Sequence, residues 1–198
     1  KPDTRALSDA DLMKLLGHEG VHPEGQFFPD TYAYAKGSSD TAVLRRALRA
    51  MDKRLAAAWE QRTPQSVVKT PRDALILASI IEKETGQASE RPMIGGVFVN
   101  RLRRGMLLQT DPTVIYGMGS AFDGDLRRRD LEADTAYNTY TRDGLPPTPI
   151  ALPSQASLDA VLHPPATLYL YFVARGDGTS QFSATLTEHN RAVAKFQK

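Results

Sequence analysis

Glu82-Lys83-Glu84-Thr85 closes an otherwise apolar stretch, Ala74 to Ile81, and sets two carboxylates two residues apart. Carboxyl groups perform general acid–base chemistry when their surroundings tune the proton affinity of one of them. Each helical residue advances about 100° around the axis. With Ala74 at zero, Ile76, Ile80, Leu77 and Ile81 fall near ~200°, ~240°, ~300° and ~340°, an apolar arc centred at about 280°. Glu84 falls at about 280°, inside that arc, and Glu82 at about 80°, on the far side. If the helix holds through Thr85, the two acids cannot share one pocket. Glu84 is then an acid continuing a buried stripe. Burial disfavours its charged form and raises its pKa, which suits a proton donor near neutral pH. The alternative is a helix that frays by Glu84, with both acids in water and Glu84 paired to a nearby arginine. Periodicity alone leaves the two readings level.

Residues 106–153 supply the polar partners. They are rich in Gly, Pro, Asp, Asn, Thr and Tyr, as in Leu108-Gln109-Thr110-Asp111-Pro112-Thr113 and Tyr137-Asn138-Thr139-Tyr140, and show little helical period. Apolar residues are interleaved and the charge is moderate, which argues for order. A long, ordered, irregular segment in a compact domain is usually functional. Tyrosine faces stack on sugar rings and amides hydrogen-bond hydroxyls, so a buried acid beside such a segment points to carbohydrate. Glycoside hydrolysis usually needs two carboxylates. A lyase-type cleavage needs one, because an internal hydroxyl of the sugar replaces water. The same Glu gives a proton to the leaving oxygen and takes one from that hydroxyl.

Other chemistries find no foothold. Cysteine is absent, which excludes disulfides, thiolate metal sites and a Cys nucleophile. His18, His22, His163 and His189 show neither i, i+4 pairing nor an HExxH pattern, so no metal site is expected. There is no GxSxG elbow and no P-loop, and Gly117-Met118-Gly119 falls short of a dinucleotide fingerprint. Arg175-Gly176-Asp177 reads as turn chemistry. The clusters Arg101-Arg103-Arg104 and Arg127-Arg128-Arg129 read as surface charge, paired in part with Asp125, Asp130 and Glu132.

The elements that must position the acid are legible in outline. Over 198 residues, 41% are hydrophobic and 24% charged, enough for one core. Lys+Arg total 25 against 23 Asp+Glu, so no basic face for nucleic acid is indicated. No apolar run reaches the about 18 residues of a membrane span. The opening Lys1-Pro2-Asp3-Thr4-Arg5 lacks Met and a signal core, the look of a domain taken from a longer protein. Ser8 caps a short helix to Leu16. Phe27, Phe28, Tyr32 and Tyr34, in a loop leading to an extended piece, read as core or sheet-face aromatics. Ser38-Ser39-Asp40 caps a helix over 40–62 whose Arg45, Arg46, Arg49, Lys53 and Arg54 make a solvated face. Thr70-Pro71-Arg72-Asp73 starts a helix over 71–85, and Pro92 one over 92–104. Gly95 and Gly96 inside the latter imply a close backbone neighbour. A short helix spans 157–162. Strands are expected over 169–174 and 181–183 around a turn, and a final helix capped by Thr187. The fold class is α+β, helix-rich with a small antiparallel sheet.

Beyond these readings, a set of blocks carries a resemblance. Glu24-Gly25, Phe28-Pro29-Asp30-Thr31-Tyr32, Ala78 to Thr85, Asn100-Arg101-Leu102, Leu108 to Gly117, Ala136 to Tyr140, Gly144-Leu145-Pro146-Pro147, Pro149-Ile150 and Tyr169 to Val173 together resemble the endolytic murein transglycosylase family, also called YceG-like. The match runs from about residue 24 to the end, in order. The resemblance implies cleavage within peptidoglycan glycan strands between N-acetylmuramic acid and N-acetylglucosamine, leaving 1,6-anhydro-muramic ends, with neither water nor a cofactor. It implies Glu84 as catalytic acid and base, with Glu82 as a possible supporting acid, and Gln109, Asp111, Tyr137, Asn138 and Tyr140 lining the groove. It implies a catalytic domain over 24–198. Residues 1–23 would join it to a LysM-like module and an inner-membrane anchor absent from this chain, the enzyme facing the periplasm, with cell-wall synthases as partners. The rival reading is a non-catalytic peptidoglycan-binding or scaffolding module.

Overall fold

The computed structural model describes residues 4–197. Its elements are α1 (Asp9–Leu16), α2 (Asp40–Glu60), α3 (Pro71–Glu84), α4 (Arg91–Arg103), α5 (Asp111–Met118), α6 (Arg128–Glu132), α7 (Gln155–Leu162), β1 (Tyr171–Ala174), β2 (Ser180–Ser183) and α8 (Leu186–Phe196). Among the described residues there is one two-stranded antiparallel sheet, packed against α4 and α8, and the fold is the α+β class expected from sequence.

The centre is α3. Every residue from Ala74 to Ile81 is buried, so the helix is apolar all round rather than along one arc. It packs against α2, α4, α5 and α7. Its start is set locally: the Thr70 hydroxyl accepts from the Asp73 amide, and the Asp73 carboxylate accepts from the Thr70 amide. A smaller cluster of Met13, Leu16 and Leu48 seats α1 on α2.

The glycines of α4 meet their neighbours as expected. A Cβ on Gly95 would stand 2.5 Å from the Ala160 carbonyl oxygen of α7, and one on Gly96 2.8 Å from the Thr167 methyl. Asn100 and Arg101 follow on the same helix. The Asn100 amide donates to the carbonyls of Thr167 and Tyr169 at 2.8 and 3.0 Å, hanging the approach to β1 from α4. The hairpin pairs Tyr171 with Ser183 and Ala174 with Ser180.

Four expectations need correction. The segment 106–153 is not wholly irregular, since it contains α5 and α6; Gly117 and Gly119 obscure the short helical period. The last helix is capped by Thr185, not Thr187: the Thr185 hydroxyl and Glu188 carboxylate exchange hydrogen bonds with each other's amides. Of the aromatics near residue 30, Phe28 enters the core, but Tyr34 is 73% exposed and no strand forms there. Arg101 is not a surface charge: it is 8% exposed. Arg127, Arg128 and Arg129 do lie outside, where Arg127 meets Asp123 at 2.7 Å and Arg128 meets Glu132 at 2.8 Å.

The Gly95 contact yields a stability prediction. Gly→Ala in a helix interior ordinarily gains about 1 kcal/mol. Here Gly95→Ala must push α7 away, so urea unfolding should show a net loss of about 1–3 kcal/mol. An unchanged or higher midpoint would refute the close packing.

Candidate active site

Glu84 is the last residue of α3, and Thr85 leaves the helix in extended conformation (φ −140°, ψ 137°). The helix therefore holds as far as the acid. Its side chain is half-buried in a cleft of about 1170 Å³. Gln109, Thr110, Asp111 and Tyr140 stand on one side, and Arg101 and Tyr171 also line it. The 85–90 segment, the hairpin and α8 supply most of the remaining wall.

The segment before α5 brings the partners in. Gln109 is the one non-glycine residue with positive φ (+51°) among the described residues, a backbone state uncommon for side-chain-bearing residues. Its amide donates to the Thr139 carbonyl at 3.0 Å, and the next amide, of Thr110, donates to the Thr139 hydroxyl oxygen at 3.1 Å. The Thr113 and Thr139 hydroxyls lie 2.8 Å apart, and the Thr113 hydroxyl donates to the Thr110 carbonyl. Thr110, Thr113 and Thr139 are all buried. So anchored, the Thr110 hydroxyl donates to Glu84 Oε2 at 2.5 Å.

Burial raises the Glu84 pKa. The Thr110 hydrogen bond opposes this, the Asp111 charge adds to it, and the Arg101 charge opposes it; the net direction is up. Tyr140 donates to Asp111 Oδ1 at 2.5 Å. Burial, that hydrogen bond and the Asp111 charge drive the Tyr140 pKa far up, so its phenol keeps its proton. One carboxyl with raised proton affinity thus sits beside a second that is held by a phenol. A carboxyl with raised proton affinity is suited to giving a proton and taking one back.

Glu82 has a different life. Its Oε1 pairs with Arg91 at 2.9 Å. Its Oε2 accepts from the Ser154 amide (2.9 Å), the Ser154 hydroxyl (2.6 Å) and the Ser157 hydroxyl (2.6 Å), at the start of α7. Burial works against its charge, but the Ser154 and Ser157 hydrogen bonds and Arg91 outweigh it, and the pKa lies below the ordinary value. Glu82 does not line the cleft.

Of the five residues expected in the groove, Gln109, Asp111 and Tyr140 line the cleft with Glu84, whereas Tyr137 and Asn138 do not. Tyr137 packs its ring 5.0 Å from that of Tyr116 and shares a 2.8 Å hydrogen bond with Thr148. Asn138 is fully buried; its amide donates to the carbonyls of Asp130, Leu131 and Ala133, and its Oδ1 accepts from the Tyr140 amide. It organises the loop that carries Tyr140. Sequence reading missed Thr110, Arg101, Tyr171 and His189. A signal for Arg101 existed: Ile94, Val97, Phe98 and Arg101 recur at i, i+3, i+4 and i+7, a buried stripe ending in a cation. His189 stacks on Tyr171 at 5.1 Å, with its Nδ1 buried and without a hydrogen-bond partner.

Comparison with known proteins places this geometry in a lineage. The family model described as the YceG-like family matches residues 3–195. An endolytic murein transglycosylase of Bacillus subtilis (strain 168) is 39% identical over 176 residues, covering 88% of this chain and 48% of the relative. One of Streptococcus pneumoniae serotype 2 (strain D39) is 32% identical over 177 residues, covering 87% of this chain and 32% of the relative. A solved yceG-like protein of Listeria monocytogenes superposes with a TM-score of 0.76 at 36% identity, over 92% of this chain and 62% of that one. The chain spans about half the length of the Bacillus relative and about a third of the Streptococcus one.

The two acids should respond oppositely to amidation. Glu84 has a raised folded-state pKa, so its charge costs stability as pH rises from the ordinary glutamate value through the raised one. Glu84→Gln should therefore stabilise the fold at neutral pH, and the gain should vanish in acid. Glu82 has a lowered pKa, so its contribution is present above the ordinary value and is lost as pH falls through the lowered one. Glu82→Gln should cost about 1–3 kcal/mol at neutral pH and progressively less in acid. Urea unfolding at several pH values reads both; equal signs at neutral pH would overturn the assignment.

Proposed function

The chain belongs to the YceG-like family, and on that premise we propose that it is an endolytic lytic transglycosylase of peptidoglycan with Glu84 as its single acid and base. The relatives from Bacillus and Streptococcus are named endolytic murein transglycosylases, which supports the substrate class. One observation carries the assignment of the acid: Glu84 ends a helix whose stretch from Ala74 to Ile81 is buried, inside a cleft, and among the described residues only the Thr110 hydroxyl is hydrogen-bonded to its carboxyl group.

The chemistry runs as follows. Protonated Glu84 delivers its proton to the oxygen joining N-acetylmuramic acid to N-acetylglucosamine, and the bond to the muramyl anomeric carbon breaks. Asp111 and the carboxylate now left on Glu84 face the positive charge developing at that carbon. The C6 hydroxyl of the muramyl ring attacks the carbon and surrenders its proton to Glu84. A 1,6-anhydro ring forms, the acid is regenerated, and no water is consumed. Thr110 aims the carboxyl. Gln109 and Tyr140 line the path of the sugar, while Asn138 and Tyr137 support the loop behind them. No cofactor enters the scheme.

In the whole protein, residues 24–198 act as the catalytic unit. Residues 1–23 lead from a LysM-like module and an inner-membrane helix, so the cleft faces the wall from the periplasmic side. Cell-wall synthases are the partner class that this placement brings within reach. Among the described residues no helix is long and apolar enough to cross a membrane.

Digestion of purified glycan strands followed by mass spectrometry of the muropeptides tests the reading. Wild type should release 1,6-anhydro ends, and Glu84→Gln should lower the rate by about 10²–10⁴-fold. The rate should decline above the raised Glu84 pKa, where the acid has lost its proton. Ordinary reducing ends would indicate hydrolysis. Strand binding without cleavage by the wild type would instead favour the non-catalytic module.

A further inference from the structure

Arg101 is the buried charge that the acid–base scheme above does not use. It projects from α4, 8% exposed, and forms no ion pair among the described residues. Its fork is spent on the chain instead. Nε donates to the Leu170 carbonyl at 2.7 Å. Nη1 donates to the Leu107 and Leu108 carbonyls at 3.1 and 2.9 Å, and to Gln109 Oε1 at 3.2 Å. The guanidinium carbon lies 5.1 Å from the centroid of the Tyr171 ring, on which His189 stacks. One side chain therefore ties α4 to the segment that turns at Gln109 and to the start of β1, the two opposite banks of the cleft. Nη2 enters no hydrogen bond among the described residues, and the residue lines the cleft.

A buried cation without a carboxylate partner is costly, and an apolar side chain would ordinarily serve stability better. Its location explains its presence. We propose that Arg101 is the positioning residue of this cleft: it fixes the 107–110 segment that carries Thr110 to Glu84 and keeps a positive charge beside the acid. The charge matters most at the moment Glu84 has given up its proton, when a carboxylate must persist in a half-buried site until the C6 hydroxyl returns one. This rests on the transglycosylase reading for its catalytic consequence, but not for its electrostatic one. The charged or titratable groups facing Glu84 are Arg101 from α4, Asp111 from α5 and Tyr140 from the loop before α7; Glu90 and His189 line the same cleft. Among those that bear on Glu84, Arg101 is the one whose charge lowers the proton affinity of the acid.

Two variants separate the charge from the fork. Arg101→Met removes both. Arg101→Lys keeps a cation but cannot reach all four acceptors. The Glu84 carboxyl is titrated by side-chain ¹³C NMR in each protein, and strand cleavage is followed against pH. Arg101→Met should raise the Glu84 pKa and move the alkaline limb of the rate profile to higher pH, a change that loosened packing alone does not produce. Arg101→Lys should leave the Glu84 titration near wild type while kcat falls about 100-fold from misplacement. A wild-type Glu84 titration in Arg101→Met, or a wild-type kcat in Arg101→Lys, overturns the proposal. If Arg101→Met does not fold, the Lys variant decides the positioning role by itself. A wild type that cuts no strand sinks the functional reading, while the Glu84 titration still judges the charge.

Discussion

A helix buried on every side has to end somewhere, and α3 ends in a carboxyl group. That is the constraint from which the site follows. Eight consecutive residues lose contact with water between Ala74 and Ile81, so the turn after them emerges from the core rather than from a surface. Any acid at that point trades hydration for whatever the neighbouring chain provides. For Glu84 the provision is meagre: one hydroxyl, a buried guanidinium lining the same cleft, and an adjacent acid. Glu82, a half-turn earlier, receives three donors and an arginine. Two identical side chains on one helix end up with proton affinities shifted in opposite directions because Glu84 is the more deeply desolvated and Glu82 the better supplied with donors.

The scaffold around the acid is built from side chain to backbone bonds. Thr139, Thr110 and Thr113 hold the turn at Gln109; Asn138 gathers three carbonyls; Arg101 gathers three more. Buried polar groups must find partners, and here the carbonyls at the end of α6 and in the adjoining loops, which no ladder satisfies, supply the acceptors. The cleft is thus irregular in conformation but firmly specified, which is what placing a carboxyl group to within a hydrogen bond requires.

Much of this is legible in the sequence. The caps at Ser8, Ser39 and Thr70, the long helices and the hairpin follow from local signals that tertiary structure did not override. Helical spacing puts Glu84 and Glu82 on different sides of α3, and Glu84 alone of the two lines the cleft, although the expected apolar arc is too narrow for a helix wrapped on all sides. What the sequence hid were the consequences of burial at long range. Arg101 reads as one of three clustered cations until the fold encloses it. Asn138 reads equally well as a sugar ligand or a loop strut, and only the three carbonyls around its amide decide between them. Short α5 lies concealed among glycines, since eight residues leave little room for a period to repeat.

The far bank of the cleft is made of the hairpin and α8, the last of the described elements, while the acid lies at the end of α3. During synthesis the carboxyl group therefore emerges before its opposing wall exists, and α7, which completes the core around α3, follows only shortly before that wall. A nascent or C-terminally clipped chain would possess the acid without an enclosure for it. The order of the elements along the polypeptide thus makes the late segment 171–196 the part of the described chain that encloses the carboxyl group.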